Sequence, residues 1–334
     1  MRTVAEFSRM LHAFFTDRLM RQLQASPHTI ASYRDTFRLL LKFAQDCLHK
    51  EPSMLAIEDL DTPFIGAFLD HLEKDRGIDA RSRNVRLAAI HSFFRYIAIQ
   101  EPIHGALAQR VLAMPGKRWD RRPVEFLTRP EVDALLAAPN LDTWGGRRDR
   151  TLLLLAVQTG LRVSELIGLK SDDVILGSGA HVRCQGKGRK ERCTPLRKEA
   201  KAALRLWLHE RGDRPSQPLF PNAKGCRLSR DGVEYLLGKH VTVARQQCPS
   251  LRGKRITAHV LRHTVAMELL QAGVDLSVIA LWLGHESAET TQIYLHADLT
   301  MKERALAKVA PLNVRGRRGR YRPSDSLLAF LKSL

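Results

Sequence analysis

The chain has little of what marks a metalloprotein, a disulfide-bonded scaffold or a membrane protein. Only five of its 334 residues are cysteines, and none forms a C-x-x-C pair, which argues against a zinc knuckle and a disulfide framework. No apolar run approaches the ~18 residues that suggest a membrane span, and the start lacks the pattern of a signal peptide. The sequence therefore predicts a cytoplasmic protein without a membrane partner.

Acidic residues are scarce relative to basic ones. The chain has 54 Lys and Arg against 35 Asp and Glu, a net charge of +19 and a pI near 10.2. This balance favours a polyanionic partner, most simply double-stranded DNA, although a solvated basic surface would give the same composition. No Asp/Glu cluster and no H-E-x-x-H motif is found, so we expect neither a metal nor a cofactor.

Apolar periodicity divides the chain into four parts. Residues 1–114 contain four segments with apolar side chains at three- and four-residue spacing, which predicts a helical bundle. Residues 115–125 contain prolines, a glycine and several cations, which indicates a basic interdomain linker, either lying along DNA or forming an ordinary exposed hinge. Residues 126–311 form a second domain, and residues 312–334 a basic tail that ends in a short apolar helix.

The second domain is predicted to be rich in helix with one small β element. Two strand-like runs, 181–184 and 192–196, flank a glycine-rich turn, which predicts a β-hairpin with Lys187 near its tip. Helices are predicted on both sides of this hairpin, including 162–169 and 299–309. The fold class is therefore mainly α with a small β-hairpin or sheet.

Six residues of this domain have side chains suited to chemistry on a phosphodiester. Two arginines can bind non-bridging oxygens through their forked donors, while a lysine and two histidines can move protons. A tyrosine hydroxyl can act as the nucleophile. Each alone has an ordinary explanation, such as an ion pair, a hairpin cation or a core aromatic residue. The six are Arg162, Lys187, His259, Arg262, His285 and Tyr294.

The order and surroundings of these six residues resemble the tyrosine recombinase (phage integrase) family over about residues 126–310. The motif H-x-x-R occupies 259–262, a Leu-Gly-His triplet occupies 283–285, and the tyrosine follows nine residues later. The resemblance implies a helical core-binding domain over 1–114 and a catalytic domain over 126–311. It implies a site-specific DNA recombinase that forms a 3′-phosphotyrosyl intermediate, for integration or excision of a mobile element or a related rearrangement.

The family pattern also implies a role for each of the six residues. Tyr294 would attack phosphorus, with His259 as the general base and Lys187 as the general acid for the 5′-oxygen. The two arginines would stabilise the extra negative charge of the transition state, and His285 would donate a further hydrogen bond to the phosphate. Three residues are expected to support them: Glu165, His263 and His296.

Several alternatives stay open at this stage. Family members commonly act as a tetramer on two DNA sites, so we expect a homo-oligomer and allow for a partner recombinase. The tail could dock on its own domain or on a neighbouring protomer. Two other functions fit parts of the pattern: DNA relaxation resembling that of type IB topoisomerases, and a DNA-binding accessory subunit that has lost cleavage.

Overall fold

The computed structural model has two compact units, Met1–Arg121 and Arg122–Leu334. Its described part is mainly helical and has one small sheet, which confirms the predicted fold class. None of its described helices is both long and apolar enough to cross a bilayer. The residues that the structure describes are 4–119, 124–186, 191–212, 217–285 and 289–297.

The first unit is a helical bundle. The sequence predicts four helices, whereas the structure has a fifth short one and a π-helical stretch, Phe14–Gln22, that continues the first. The fifth helix is separate because a 3₁₀ turn at Pro102–His104 interrupts the chain after the fourth. The helices are α1 (Val4–Ala13), α2 (Pro27–Leu48), α3 (Thr62–Lys74), α4 (Ala80–Gln100) and α5 (Gly105–Leu112).

Local sequence explains where three of these helices begin. The side chains of Ser26, Asp61 and Asp79 each accept a hydrogen bond from the backbone N–H three residues later. Such a cap satisfies a backbone donor that has no partner within the helix. Ser26 is followed by Pro27, which suits the first turn of α2 because its missing N–H needs no partner there. Aromatic side chains fill the bundle, with the rings of Phe14 and Phe93 centred 5.4 Å apart.

The beginning of the predicted linker is bound to the first unit. The backbone N–H of Lys117 donates to the side chain of Asn84 at 2.9 Å, and the Asn84 amide donates back to the Lys117 carbonyl at 2.8 Å. The Lys117 ammonium lies 2.6 Å from Glu73. The cation of Lys117 is therefore paired within the unit.

The second unit combines eight helices with a three-stranded antiparallel sheet in the order β1-β2-β3, within the described residues. Its strands are β1 (Val174–Ile175), β2 (His181–Gln185) and β3 (Glu191–Pro195). Its helices are α6 (Arg129–Ala137), α7 (Trp144–Thr159), α8 (Val163–Leu166), α9 (Lys198–Arg211), α10 (Arg230–Gln247), α11 (Ala258–Gln271), α12 (Leu276–Leu283) and α13 (Glu289–Ala297).

The helix predicted over 162–169 is wrong in its length. Helix α8 ends at Leu166 because the chain beyond it pairs with a distant segment. The Leu169 carbonyl accepts a hydrogen bond from the N–H of Leu219 at 2.7 Å, and the N–H of Ser171 donates to the Gln217 carbonyl at 3.2 Å. The helix predicted over 299–309 and the tail 312–334 lie outside the described residues.

Two hydrophobic clusters lie behind the candidate site. The larger one centres on α7, which packs against α6, α9 and α11. The smaller one joins α11, α12 and α13 and includes the side chains of Leu283 and Tyr294. The tyrosine is therefore part of a packed core in this structure.

Candidate active site

The end of α7 positions Arg162. The helix ends at Gly160, whose φ of +64° is left-handed and whose Cβ, if it had one, would lie 2.8 Å from the Leu283 side chain. Glycine therefore permits both the turn and the close approach of α12. Leu161 is buried and anchors the turn, and Arg162 follows at the start of α8 with a partly exposed side chain.

The Arg162 guanidinium is held by two acceptors from different parts of the chain. Its Nη1 donates to Glu165 Oε1 at 3.0 Å, and its Nη2 donates to the carbonyl of Gly284 at 2.9 Å. The Glu165 carboxylate also accepts the backbone N–H of Arg162 at 2.7 Å. Arg162 therefore forms an ion pair with Glu165, and this pair fixes the orientation of the guanidinium group.

A second arginine, Arg192 on β3, binds the same carboxylate. Its Nη1 and Nη2 donate to the two oxygens of Glu165 at 3.0 and 2.7 Å. Burial raises the pKa of Glu165, but hydrogen bonds from Arg192 and Arg162, together with the charge of Arg192, outweigh this effect, so the net pKa is lowered. Glu165 is therefore ionised at neutral pH, although its side chain is only 4% exposed.

Arg262 lies deeper than Arg162. It is 2% exposed, and it donates to the carbonyls of Gly160 and Leu283, each at 2.6 Å. Both carbonyls end helices, where the helix dipole favours a cation. Burial and the nearby charge of Arg162 lower the pKa of Arg262 to about 10, so its guanidinium stays charged at neutral pH.

Tyr294 lies on α13 beside two histidines. It is 1% exposed, its hydroxyl is 2.9 Å from His263 Nδ1, and its ring stacks on His285 with centroids 6.4 Å apart. Burial raises the pKa of Tyr294 to about 12, although the charges of Arg262 and Arg162 act in the opposite direction. The phenol is therefore neutral in this structure.

Two histidines of the site, His263 and His285, are also neutral. Burial, with neighbouring positive charge, lowers the pKa of both His263 and His285 to about 4. The Nδ1 of His285 lies 2.8 Å from the hydroxyl of buried Thr291. His259 precedes His263 by one helical turn of α11, and their rings are centred 4.4 Å apart.

The geometry unites an arginine pair, three imidazoles and a phenol, which is the inventory expected for phosphodiester chemistry. The Phage integrase family model matches residues 125–301, and the model for the phage integrase N-terminal SAM-like domain matches residues 13–101. The chain belongs to the phage integrase family. Both predicted domains of this recombinase thus have a counterpart in the family.

Named relatives agree with this membership. The recombinase is 63% identical over 332 residues to the integrase/recombinase y4rC of Sinorhizobium fredii, a match that covers 99% of each chain. It is 39% identical over 243 residues to the tyrosine recombinase XerD of Pseudomonas aeruginosa, which covers 69% of this chain and 76% of XerD. It is therefore a tyrosine-type site-specific recombinase, as the sequence predicts.

A solved recombinase structure has a fold similar to that of this chain. The XerH site-specific recombinase, bound to its palindromic difH substrate in a post-cleavage complex, is 25% identical to this chain with a TM-score of 0.68. The match covers 85% of this chain and 81% of XerH.

Five of the six residues predicted from the sequence form one connected cluster in this recombinase. Lys187 lies outside the described residues, between strands β2 and β3, whose ends pair Gln185 with Glu191. The His296 side chain also lies outside them. No group of three or more His, Cys, Asp or Glu suited to a metal ion occurs in the described part of the chain. The five are Arg162, His259, Arg262, His285 and Tyr294.

Two features of the cluster are missing from the sequence-based prediction. His263, expected only to support the site, contacts the phenol directly, and a four-residue spacing from His259 indicates a shared helix face. Arg192 was not predicted at all. Its signal is the period of two along β3, which places Arg192 on the same side of the strand as buried Thr194.

Proposed function

We propose that Tyr294 cleaves DNA by attacking a backbone phosphorus, so that each cut strand is held as a 3′-phosphotyrosyl ester. The Tyr294 oxygen forms a bond to phosphorus while the bond to the 5′-oxygen breaks. The phenol proton passes to an imidazole, and the 5′-oxygen takes a proton and leaves as a hydroxyl. Attack by a 5′-hydroxyl of another strand reverses these steps. The contact of the phenol with His263 and His285, beside two arginines, carries this proposal.

Arg162 and Arg262 are proposed to bind the non-bridging oxygens. Their hydrogen bonds to backbone carbonyls and to Glu165 fix both guanidinium groups before DNA arrives. Donors fixed in advance stabilise developing negative charge without reorganisation, and losing one typically lowers a rate by about 10²–10³-fold. When the Thr291 hydroxyl donates a hydrogen bond to Nδ1 of neutral His285, the imidazole carries its proton on Nε2, and this N–H can donate a hydrogen bond to the phosphate.

The phenol needs a base because a pKa of about 12 leaves only about one molecule in 10⁵ ionised at neutral pH. His263 is neutral and lies within hydrogen-bond distance of the phenol, which supports it as the immediate proton acceptor. The role of His259 as the base stays a prediction. Lys187 is proposed, on the family pattern alone, to protonate the 5′-oxygen.

Comparing His263→Gln with His259→Gln separates the two imidazoles. If His263 takes the proton, its substitution lowers the single-turnover cleavage rate about 10²-fold or more, and the loss shrinks as the pH rises towards the pKa of the phenol. The same pattern in His259→Gln alone would assign the proton transfer to His259.

DNA is the proposed partner, and several protomers are proposed to act together on it. Exchange between two duplexes breaks four strands, and each break occupies one Tyr294, so a complete reaction needs four copies of the site. The net charge of +19 supports binding that weakens steeply with salt, by about 10³–10⁵-fold between 50 and 200 mM for a protein with 6–10 phosphate contacts. A partner recombinase and a cytoplasmic location remain proposals from the sequence.

We place the activity in integration or excision of a mobile element. The nearly full-length similarity to y4rC, which is named an integrase/recombinase, supports this assignment. The match to the tyrosine recombinase XerD covers less of the chain, and its name adds no more specific role.

The test is covalent capture on nicked duplexes drawn from a random-sequence pool. The native protein should form a DNA adduct that survives denaturation, and Tyr294→Phe should form none, because phenylalanine keeps the ring but lacks the attacking oxygen. Tyr235→Phe is the matched control, since Tyr235 is 78% exposed on α10. Equal adduct from native protein and Tyr294→Phe would exclude Tyr294 as the nucleophile.

Sequencing the captured strands then separates recombination from simple relaxation. Enrichment of one recurring site, followed by joining of two plasmids that carry it, supports site-specific recombination. Capture without sequence preference, together with relaxation of supercoiled plasmid, would instead support topoisomerase activity.

A further inference from the structure

Arg192 is a buried cation that the proposed chemistry does not use. Its side chain is 13% exposed, and both of its terminal nitrogens donate to Glu165. Its Nε is buried without a hydrogen-bond partner among the described residues. Burying a guanidinium is unfavourable unless its charge is compensated, so the arginine depends on Glu165.

Each carboxylate oxygen of Glu165 accepts hydrogen bonds from both Arg192 and Arg162. Its Oε1 accepts from Nη1 of both arginines at 3.0 Å, while Oε2 accepts from Arg192 Nη2 and from the backbone N–H of Arg162, both at 2.7 Å. The carboxylate therefore cannot move without disturbing both arginines.

Arg192 also packs against the second support of Arg162. A Cβ on Gly284 would lie 2.7 Å from Arg192 Nη1, so the guanidinium lies directly against the Gly284 backbone. The carbonyl of Gly284 accepts from Arg162 Nη2, and the next residue is His285. Arg192 thus contacts both groups that hold Arg162.

The charges of this network give Arg192 an electrostatic effect. Glu165 alone would neutralise the Arg162 guanidinium and compete with a phosphate for it. A second cation on the same carboxylate leaves the three side chains with a net charge of one positive unit. Arg192 is more buried than Arg162, whose side chain is 32% exposed. The net positive charge of the three side chains is therefore accessible to a phosphate at Arg162.

We propose that Arg192 is a positioning residue for strand cleavage, holding Glu165 and the Gly284 backbone so that Arg162 faces the phosphate with its charge available. The proposal rests on the proposed function, since it assumes that Arg162 binds the phosphate. Arg192 itself need not contact DNA.

The test is a double-mutant cycle on single-turnover cleavage, with DNA affinity measured in parallel. We expect Arg192→Gln to lower the cleavage rate about 10²-fold, as for loss of one preorganised donor, with the dissociation constant for DNA changed less than threefold. In an Arg162→Ala background the same substitution should have almost no further effect, because residues that act as one unit are not additive. Arg192→Lys, which keeps the charge but not the fork, should recover part of the rate.

Arg183→Gln is the matched control, because Arg183 is an exposed arginine on the adjacent strand β2. This variant should cleave DNA at the rate of the native protein. Additive losses in the double variant, or an Arg192→Gln variant that cleaves at the native rate, would overturn the proposal. If Arg192→Gln does not fold, Arg192→Lys in the same cycle decides by the same criterion. Failure of the native protein to form any adduct would instead refute the proposed function.

Discussion

Replacing Glu165 with glutamine tests the buried charge network at the centre of the candidate site. The substitution keeps the size of the side chain but removes the negative charge that Arg162 and Arg192 share. One amide group would then face two guanidinium groups, with a single acceptor oxygen in place of two. The side chain is 4% exposed, so water cannot replace the lost acceptor.

The expected magnitude follows from that burial. Removing one partner of a buried ion pair destabilises a protein by about 3–5 kcal/mol, and the acceptor that glutamine retains places our expectation for Glu165→Gln near the lower end. For a unit of roughly 200 residues, 1 kcal/mol corresponds to about 2–4 °C in Tm. Thermal unfolding of Glu165→Gln should therefore occur roughly 6–12 °C below that of the native protein.

Tryptophan fluorescence is a suitable assay because Trp144, Trp207 and Trp282 all lie in the second unit. The control is Glu210→Gln, which removes a carboxylate bound to Arg147 at 2.7–3.1 Å near the surface, where its side chain is 29% exposed. Exposed ion pairs contribute about 1 kcal/mol or less, so this control should unfold within a few degrees of the native protein. Equal shifts for the two variants would refute the reasoning that Glu165 is a buried charge on which the site depends.

Three further predictions concern the same site. Because the pKa values of His263 and His285 are lowered to about 4 in the folded protein, only the unfolded chain binds these protons between about pH 6.5 and about pH 4. Urea titrations should therefore show the free energy of unfolding falling as the pH is lowered from about 6.5 to about 5, and a constant value would contradict this. Gly160→Ala should destabilise the second unit by about 1–3 kcal/mol in the same titration, since the new methyl group meets Leu283 at a positive φ; native stability would contradict the close approach. Thr291→Val removes the hydrogen-bond partner of His285 Nδ1. It should slow cleavage about tenfold and lower the free energy of unfolding by about 1 kcal/mol or more. An unchanged cleavage rate would show that this hydrogen bond to His285 does not affect cleavage.

Much of the fold is encoded locally and could be predicted. Caps such as Ser26 mark helix starts, and Gly160 marks the end of α7 because a left-handed residue there closes the helix. The hairpin follows from two short strands around a glycine-rich turn. The length of α8 could not be predicted, because it is set by pairing of Leu169 with Leu219, 50 residues further along the chain.

The candidate site likewise has residues that can be identified from sequence order and contacts that form only between distant segments of the chain. The order of reactive side chains, through the family resemblance, selects five residues that lie together in the described part of the chain, and their roles stay predictions. It did not show that His263 contacts the phenol, because His259 and His263 lie on one face of α11 and the sequence does not distinguish them. Nor did it show Arg192, whose partner Glu165 lies 27 residues away and meets it only when β3 folds against α8.

The most direct test of the central claim is to map the covalent adduct by mass spectrometry after nuclease and protease digestion of the captured complex. We expect a single modified peptide, with the nucleotide attached through a 3′-phosphate to the oxygen of Tyr294. An adduct on another side chain, or an attachment through a 5′-phosphate, would contradict the account of how this cluster acts on DNA.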